Sequence, residues 1–277
     1  MNLISFKGLN CYQSCIISIA QYFGIEYSLA FSSLWSEVDF LYENYFQIYS
    51  SRRMLINMET LGLKVEKNLS VSPEQAKEKF DMLVNKRMAI IGIDAYFLPW
   101  SPIYKLAHEK HYLIIQKKSS STLSCFDPSY KEENAKMAYM DIAPFIFDLR
   151  SLELVKKQSL GITHMQEAKA IIRDQPVTQQ KITEKIKTCE NNEELLMLGR
   201  YIDAMINNRH LYHYYLNTAL SSDDYFNEGY FYRWNCVKNG LFKAFLLKKH
   251  DKILEEVVLL FHELMNEELE MAKTMLL

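Results

Sequence analysis

Glycine is scarce, at 8 of 277 residues. No GxGxxG or GxxxxGK[ST] spacing occurs, so the chain offers no glycine-rich loop to cradle a nucleotide phosphate. A basic excess is also missing. Lys and Arg number 32 against 34 Asp and Glu, a net charge of -2, which argues against a polyanion-binding protein and so against nucleic acid as a partner. No run of 18 or more apolar residues appears, so no membrane span is expected. The N-terminal MNLISFKGLNC has no charged region followed by a long apolar run and does not read as a secretory signal, so the expected location is the cytoplasm. Cysteine is limited to five, at positions 11, 15, 125, 189 and 236, an odd number without a CxxC, which argues against a disulfide framework. A structural zinc site needs about four clustered Cys or His ligands. Cys11 and Cys15 have no nearby partner pair, and the HLYH at 210–213 has no acidic companion in sequence, so no metal is expected.

What the chain has is apolar bulk. Hydrophobic residues make up 49% and charged residues 24%, enough for a substantial core and against global disorder. The length leans towards two domains. Residues 11 to 23 read as a helix, with Asn10 as N-cap, Cys11 at the first helical position and Gly24 where a left-handed C-cap would sit. Residues 24 to 57 are aromatic-rich and carry no clear period. Ser72-Pro73-Glu74-Gln75 opens a second helix running to about Lys86. Then the period changes: MAIIGID (88–94), HYLIIQKK (111–118) and LSCFDPS (123–129) read as strands, the last two joined by a serine-rich turn into a hairpin. A helix over 137–147 and a strand over 152–157 complete this part. Beyond residue 162 only helical periodicity remains, over 163–174, 178–188, 192–219, 223–247 and 250–276, with Pro176 as punctuation. The expected architecture is α+β over 1–160, then an all-helical domain over 161–277.

A thiol at a helix N-terminus is held by the positive end of the macrodipole, which favours thiolate. A neighbouring imidazole can lower its pKa further and act as acid and base, and a third polar group must fix the imidazole tautomer. Cys11 at a helix start, His111 at the beginning of one strand and Asp127 at the end of the next supply this set. If the two strands form a hairpin, His111 and Asp127 lie opposite each other near its open end. The bland alternative is a packed thiol and ordinary Asp-Pro turn chemistry. Cys15, one turn further along, is assigned to packing. His108 competes with His111 as the base, and strand polarity favours His111. Asp94 suits either contact with an amine or a turn or N-cap role.

These residues carry a resemblance. Cys11 followed by Gly24 in "QYFG", and "HYLIIQKKSSSTLSCFDPS", resemble the papain-like peptidase domains of bacteriocin exporters. The further segment "IDAYFLPW" (93–100) ahead of "HEKHYLIIQ" is similar to the N-terminal domain of the butirosin-biosynthesis acyltransferase family. The resemblance covers about residues 8 to 130, and a helical C-terminal region also fits that family. It implies a papain-like N-terminal domain, with a central helix and an antiparallel sheet. Cys11 would take the acyl group, His111 would shuttle the proton and Asp127 would orient His111. The implied donor is a thioester on the phosphopantetheine arm of an acyl or peptidyl carrier protein, with no bound cofactor. The implied acceptor is an amine of a natural-product intermediate. Homo-oligomerisation stays open.

The chain departs from papain-like peptidases in having no Gln before Cys11. The Cys11 N–H would supply one oxyanion donor, and the side-chain amide of Asn10 or Gln13 a second. Tyr96 and Trp100 belong to an aromatic loop that either covers the core or walls an acyl channel. Arg200, Arg209, Lys243, Lys248 and Lys249 are candidate contacts for an acidic carrier. Two further readings stand beside the transferase: a papain-like cysteine hydrolase (peptidase, amidase or thioesterase) with the same three residues, and a catalytically silent scaffold.

Overall fold

A computed structural model describes residues 1–43, 48–67, 88–117, 122–161, 164–189, 191–220, 225–248 and 251–277. The helix expected over 72–86 and most of the turn at 119–122 lie outside these residues. The chain divides into two compact units. The first comprises Met1–Tyr27 and Met58–Ser159, the second Ser28–Asn57 and Leu160–Leu277. The division near residue 160 therefore has a complication: residues 28–57 belong with the helices, not with the sheet.

The first unit is built on helix α1 (Cys11–Tyr22) and a six-stranded antiparallel sheet. Helix α1 is buried on every face from Tyr12 to Ala20, so it behaves as a core element and not as an amphipathic surface helix. Its buried Ser18 hydroxyl donates to the Ser14 carbonyl (2.8 Å) and accepts the Ile4 N–H (2.8 Å), so that polar group is satisfied. Phe23 caps the C-terminus, and Gly24 follows at φ +70°, the left-handed conformation glycine adopts without strain.

Strands β3 (Leu63–Lys67), β4 (Ala89–Asp94), β5 (Lys110–Lys117), β6 (Thr122–Asp127), β7 (Glu132–Ala138) and β8 (Ile146–Leu154) lie in the order β3-β8-β4-β5-β6-β7. One side packs a core of Ile91, Ile93, Leu113, Ile115, Leu123 and Cys125 with Leu98 from the following loop. Gly92 leaves no room for a side chain, since a Cβ there would lie 2.5 Å from the Phe147 ring.

Several expectations give way here. The helix expected over 137–147 is a single turn, α3 (Tyr139–Ile142), followed by a short 3-10 turn. The residues before it form β7, an edge strand. Its sequence EENAKMA is too charged to advertise a strand, because only one face of it meets the core. Likewise the strand placed at 152–157 is β8, which starts at Ile146 and ends at Leu154.

In the second unit, β1 (Leu41–Glu43) and β2 (Ile48–Ser50) pair antiparallel, and helix α2 (Arg52–Thr60) follows, its residues from Met58 onward belonging to the first unit. The long helices are α4 (His164–Thr188), α5 (Asn192–Tyr215), α6 (Glu228–Leu246) and α7 (Asp251–Thr274). Pro176 does not divide α4 as expected. Proline removes one main-chain bond, and the neighbouring Gln175 amide is anchored on the Met265 carbonyl of α7 (2.5 Å), so packing carries the helix across. A buried carboxylate explains why residues 28–57 sit with these helices. Glu37, 1% exposed, accepts from the Ser51 hydroxyl, the Arg53 N–H (2.8 Å) and the Asn208 amide of α5 (2.7 Å). Arg209, offered above as a carrier contact, is buried instead. It makes a two-pronged pair with Glu268 (2.5 and 2.8 Å) and lies 4.5 Å from the Trp234 ring. No described helix is long and apolar enough to cross a membrane.

Candidate active site

The site begins with the cap of α1. Asn10 Oδ1 accepts the Gln13 N–H (2.9 Å), and Gln13 Oε1 accepts the Asn10 N–H (3.0 Å), a reciprocal capping box. Asn10 is thus the N-cap, and both candidate oxyanion side chains spend their oxygens on the helix start. Their NH2 groups and the Cys11 N–H have no acceptor among the described residues. Cys11 therefore stands at the first position of a capped helix, partly exposed, beside an unspent main-chain donor.

The hairpin supplies the other groups. In the β4–β5 register Ile93 lies opposite His111, and β6 returns antiparallel with Ile114 opposite Phe126. An irregularity between Cys125 and Asp127 marks the end of β6. There Asp127 Oδ2 sits 2.8 Å from His111 Nε2, both side chains buried. The Asp127-Pro128 turn does not compete with this contact, because the two carboxylate oxygens divide the work. Oδ1 accepts the N–H groups of Ser129 (3.1 Å) and Tyr130 (3.2 Å), which is turn chemistry. Oδ2 takes His111 and, in addition, the indole N–H of Trp100 (3.0 Å). Four N–H groups converge on a side chain with no exposure, which suits an acceptor-only carboxylate.

Cys11 is close enough to His111 to act on its charge. Burial pulls the imidazole pKa down, but the bond to Asp127 and the negative charges of Asp127 and Cys11 outweigh it and raise the pKa to about 9. The structure thus hydrogen-bonds His111 to Asp127 and sets Cys11 near enough to the same imidazole to shift its pKa.

Tyr130, which the sequence reading did not single out, stacks on His111 with ring centroids 4.5 Å apart and planes 16° apart. The available signal was an aromatic residue three positions after Asp127. Trp100 takes a more specific place than a channel wall, since it holds Asp127. Tyr96 lies flat against His108, and His108 pairs with Asp94 and not with Asp127.

The remaining thiols of this unit are silenced by burial. Desolvation, reinforced by the negative charges of Cys11 and Asp127, pushes Cys15 well above the ordinary thiol value. Burial, with Asp127 adding to it, pushes Cys125 up to about 12. Among the described residues no group of three or more His, Cys, Asp or Glu side chains could hold a metal ion. Comparison with protein-family models and with curated proteins finds no match.

Proposed function

We propose that the first unit is a papain-like domain catalysing acyl transfer through Cys11. The observation that carries this reading is a partly exposed thiol at a capped helix start, near an imidazole whose Nε2 is held by a buried carboxylate. That is the arrangement nucleophilic catalysis requires. The proposed donor is a thioester on the phosphopantetheine arm of an acyl or peptidyl carrier protein, and the proposed acceptor is a small-molecule amine.

Cys11 sulfur attacks the thioester carbonyl, and the oxyanion forms against the Cys11 N–H. His111 gives its proton to the departing pantetheine sulfur, leaving acyl-Cys11. Exchange of one thioester for another is close to balanced in energy, so cysteine is a sensible relay. The amine then attacks, the new C–N bond forms, and the C–S bond breaks with His111 accepting the amine proton. Water must be kept from the acyl-enzyme for transfer to win. A cytoplasmic location and a natural-product acceptor belong to the same proposal.

Incubation with an acyl-loaded carrier protein, followed by intact mass measurement, tests it. The expected result is a mass gain that is lost in Cys11→Ser and is discharged by amine faster than by water. Discharge by water alone assigns the site to a hydrolase. Full turnover in Cys11→Ala removes the mechanism altogether.

A further inference from the structure

Three residues ahead of His111 the chain builds a second histidine–carboxylate pair. Asp94 Oδ2 lies 2.6 Å from His108 Nδ1. Asp94 Oδ1 accepts the N–H groups of Tyr96 (3.0 Å) and Glu109 (3.3 Å). The His108 ring lies flat on Tyr96, with centroids 4.3 Å and planes 14° apart. An imidazole whose side chain is 69% exposed is therefore held by a carboxylate at one nitrogen and by an aromatic platform beneath. Its Nε2 has no protein partner among the described residues. Capping of the 3-10 turn Ala95–Phe97 accounts for one oxygen of Asp94 but not for the one spent on His108.

This pair stands next to the site. Asp94 is opposite Lys110 in the rung after Ile93 and His111, and the Ala95 N–H reaches the Glu109 carbonyl (2.7 Å). Three residues of chain separate the Cα atoms of His108 and His111 by at most about 11 Å. The segment from Asp94 to Trp100 also spans both pairs, meeting His108 at one end and Asp127 at the other.

Proton accounting gives the second pair a task, on the acyl-transfer reading above. An alkylamine arrives as an ammonium ion. Its attack on acyl-Cys11 makes the C–N bond, breaks the C–S bond and releases two protons. One leaves the ammonium before attack; the other leaves nitrogen as the tetrahedral intermediate collapses. His111 holds one proton, as the partner of the Cys11 thiolate. The geometry points to His108, oriented by Asp94, as the base that takes the first proton from a primary alkylamine acceptor. From its exposed ring that proton passes to solvent.

The test uses full-length protein, its His108→Gln and Asp94→Asn variants, and the acetyl thioester of N-acetylcysteamine as acyl donor. Acetyl-Cys11 is followed by intact mass at pH 7 during discharge by ethylamine, an ammonium at that pH, and by hydroxylamine, which is neutral. Acylation is expected to proceed at the wild-type rate in both variants. Discharge by ethylamine should slow about 100-fold in His108→Gln, the usual worth of a general base, while discharge by hydroxylamine is unchanged. Asp94→Asn should reproduce the pattern more weakly. Equal ethylamine rates overturn the assignment, and equal slowing with both nucleophiles reduces His108 to a structural role. These outcomes leave the acyl-transfer reading standing. Failure of wild-type protein to form acetyl-Cys11, or discharge to water alone, removes that reading and the role of His108 with it.

Discussion

At the scale of single residues, the site is decided by who shares Asp127. His111 carries a raised pKa of about 9 because Asp127 and Cys11 outweigh the cost of burying the imidazolium. Replacing Asp127 with Asn removes one of these two partners. The His111 midpoint should then fall towards the ordinary value of about 6.5, as followed by imidazole NMR. Since the folded value lies above the unfolded one, the imidazolium contributes stability that is complete below about pH 6.5. That contribution is lost as pH rises through 9. Denaturation midpoints across this window should decline in wild type and flatten in Asp127→Asn. Iodoacetamide separates the thiols in the same way: Cys11 should alkylate first, while buried Cys15 and Cys125, with raised pKa values, lag. Equal labelling of all three would contradict the burial on which their assignments rest.

Trp100 gives a second prediction at this scale. Trp100→Phe keeps an aromatic ring in the loop and removes the N–H that donates to Asp127. A hydrogen bond to a charged group contributes about 1.5–3 kcal/mol, so urea unfolding should show a loss of that order. The rate of Cys11 acylation should fall as well, because Asp127 then holds His111 with one donor fewer. Loss of stability with an unaltered acylation rate would confine Trp100 to packing. Cys11, His111 and Asp127 were legible in the sequence because each sits at an element end with its own local signal: a cap, a strand start, an Asp-Pro turn. The indole bond and the Tyr130 stack were not, since both join side chains whose contact depends on how loops return.

At the scale of elements, periodicity served where one face alone meets the core and failed where neighbours override it. α1 was legible through Asn10 and Gly24, although its faces are buried all round. β7 was not, because an edge strand of Glu, Asn and Lys lacks the apolar alternation that announces a strand. Nor was continuity through Pro176, which depends on α7. Among the helices, the buried Arg209–Glu268 pair makes the sharpest prediction. Glu268→Gln leaves a guanidinium 2% exposed without its carboxylate. Breaking one side of a buried pair costs about 3–5 kcal/mol, and urea denaturation should show it. Removing Arg209 and Glu268 together, as Arg209→Met with Glu268→Leu, should cost less than that single change. A larger loss in the double variant would mean that the pair is a net source of stability.

At the scale of the whole molecule, the two units are not consecutive pieces of chain. Residues 28–57 leave the first unit after α1 and return at Met58, having contributed a buried carboxylate, a hairpin and part of α2 to the second. Composition gave no warning, because the segment is aromatic-rich without a period and its partners lie more than a hundred residues further on. A cut at residue 160 therefore does not release a domain. It strips Glu37 of the Asn208 amide and Ser36 of the Glu167 carboxylate, leaving a buried charge short of a donor and the aromatic face of Phe31, Trp35 and Phe40 without Tyr214, Tyr212 and Tyr201. A 1–160 fragment should accordingly aggregate, or be nicked by protease within 28–57, even though it carries Cys11, His111 and Asp127. A soluble 1–160 fragment that resists proteolysis in that segment would show that residues 28–57 fold with the sheet, and would return the boundary to residue 160.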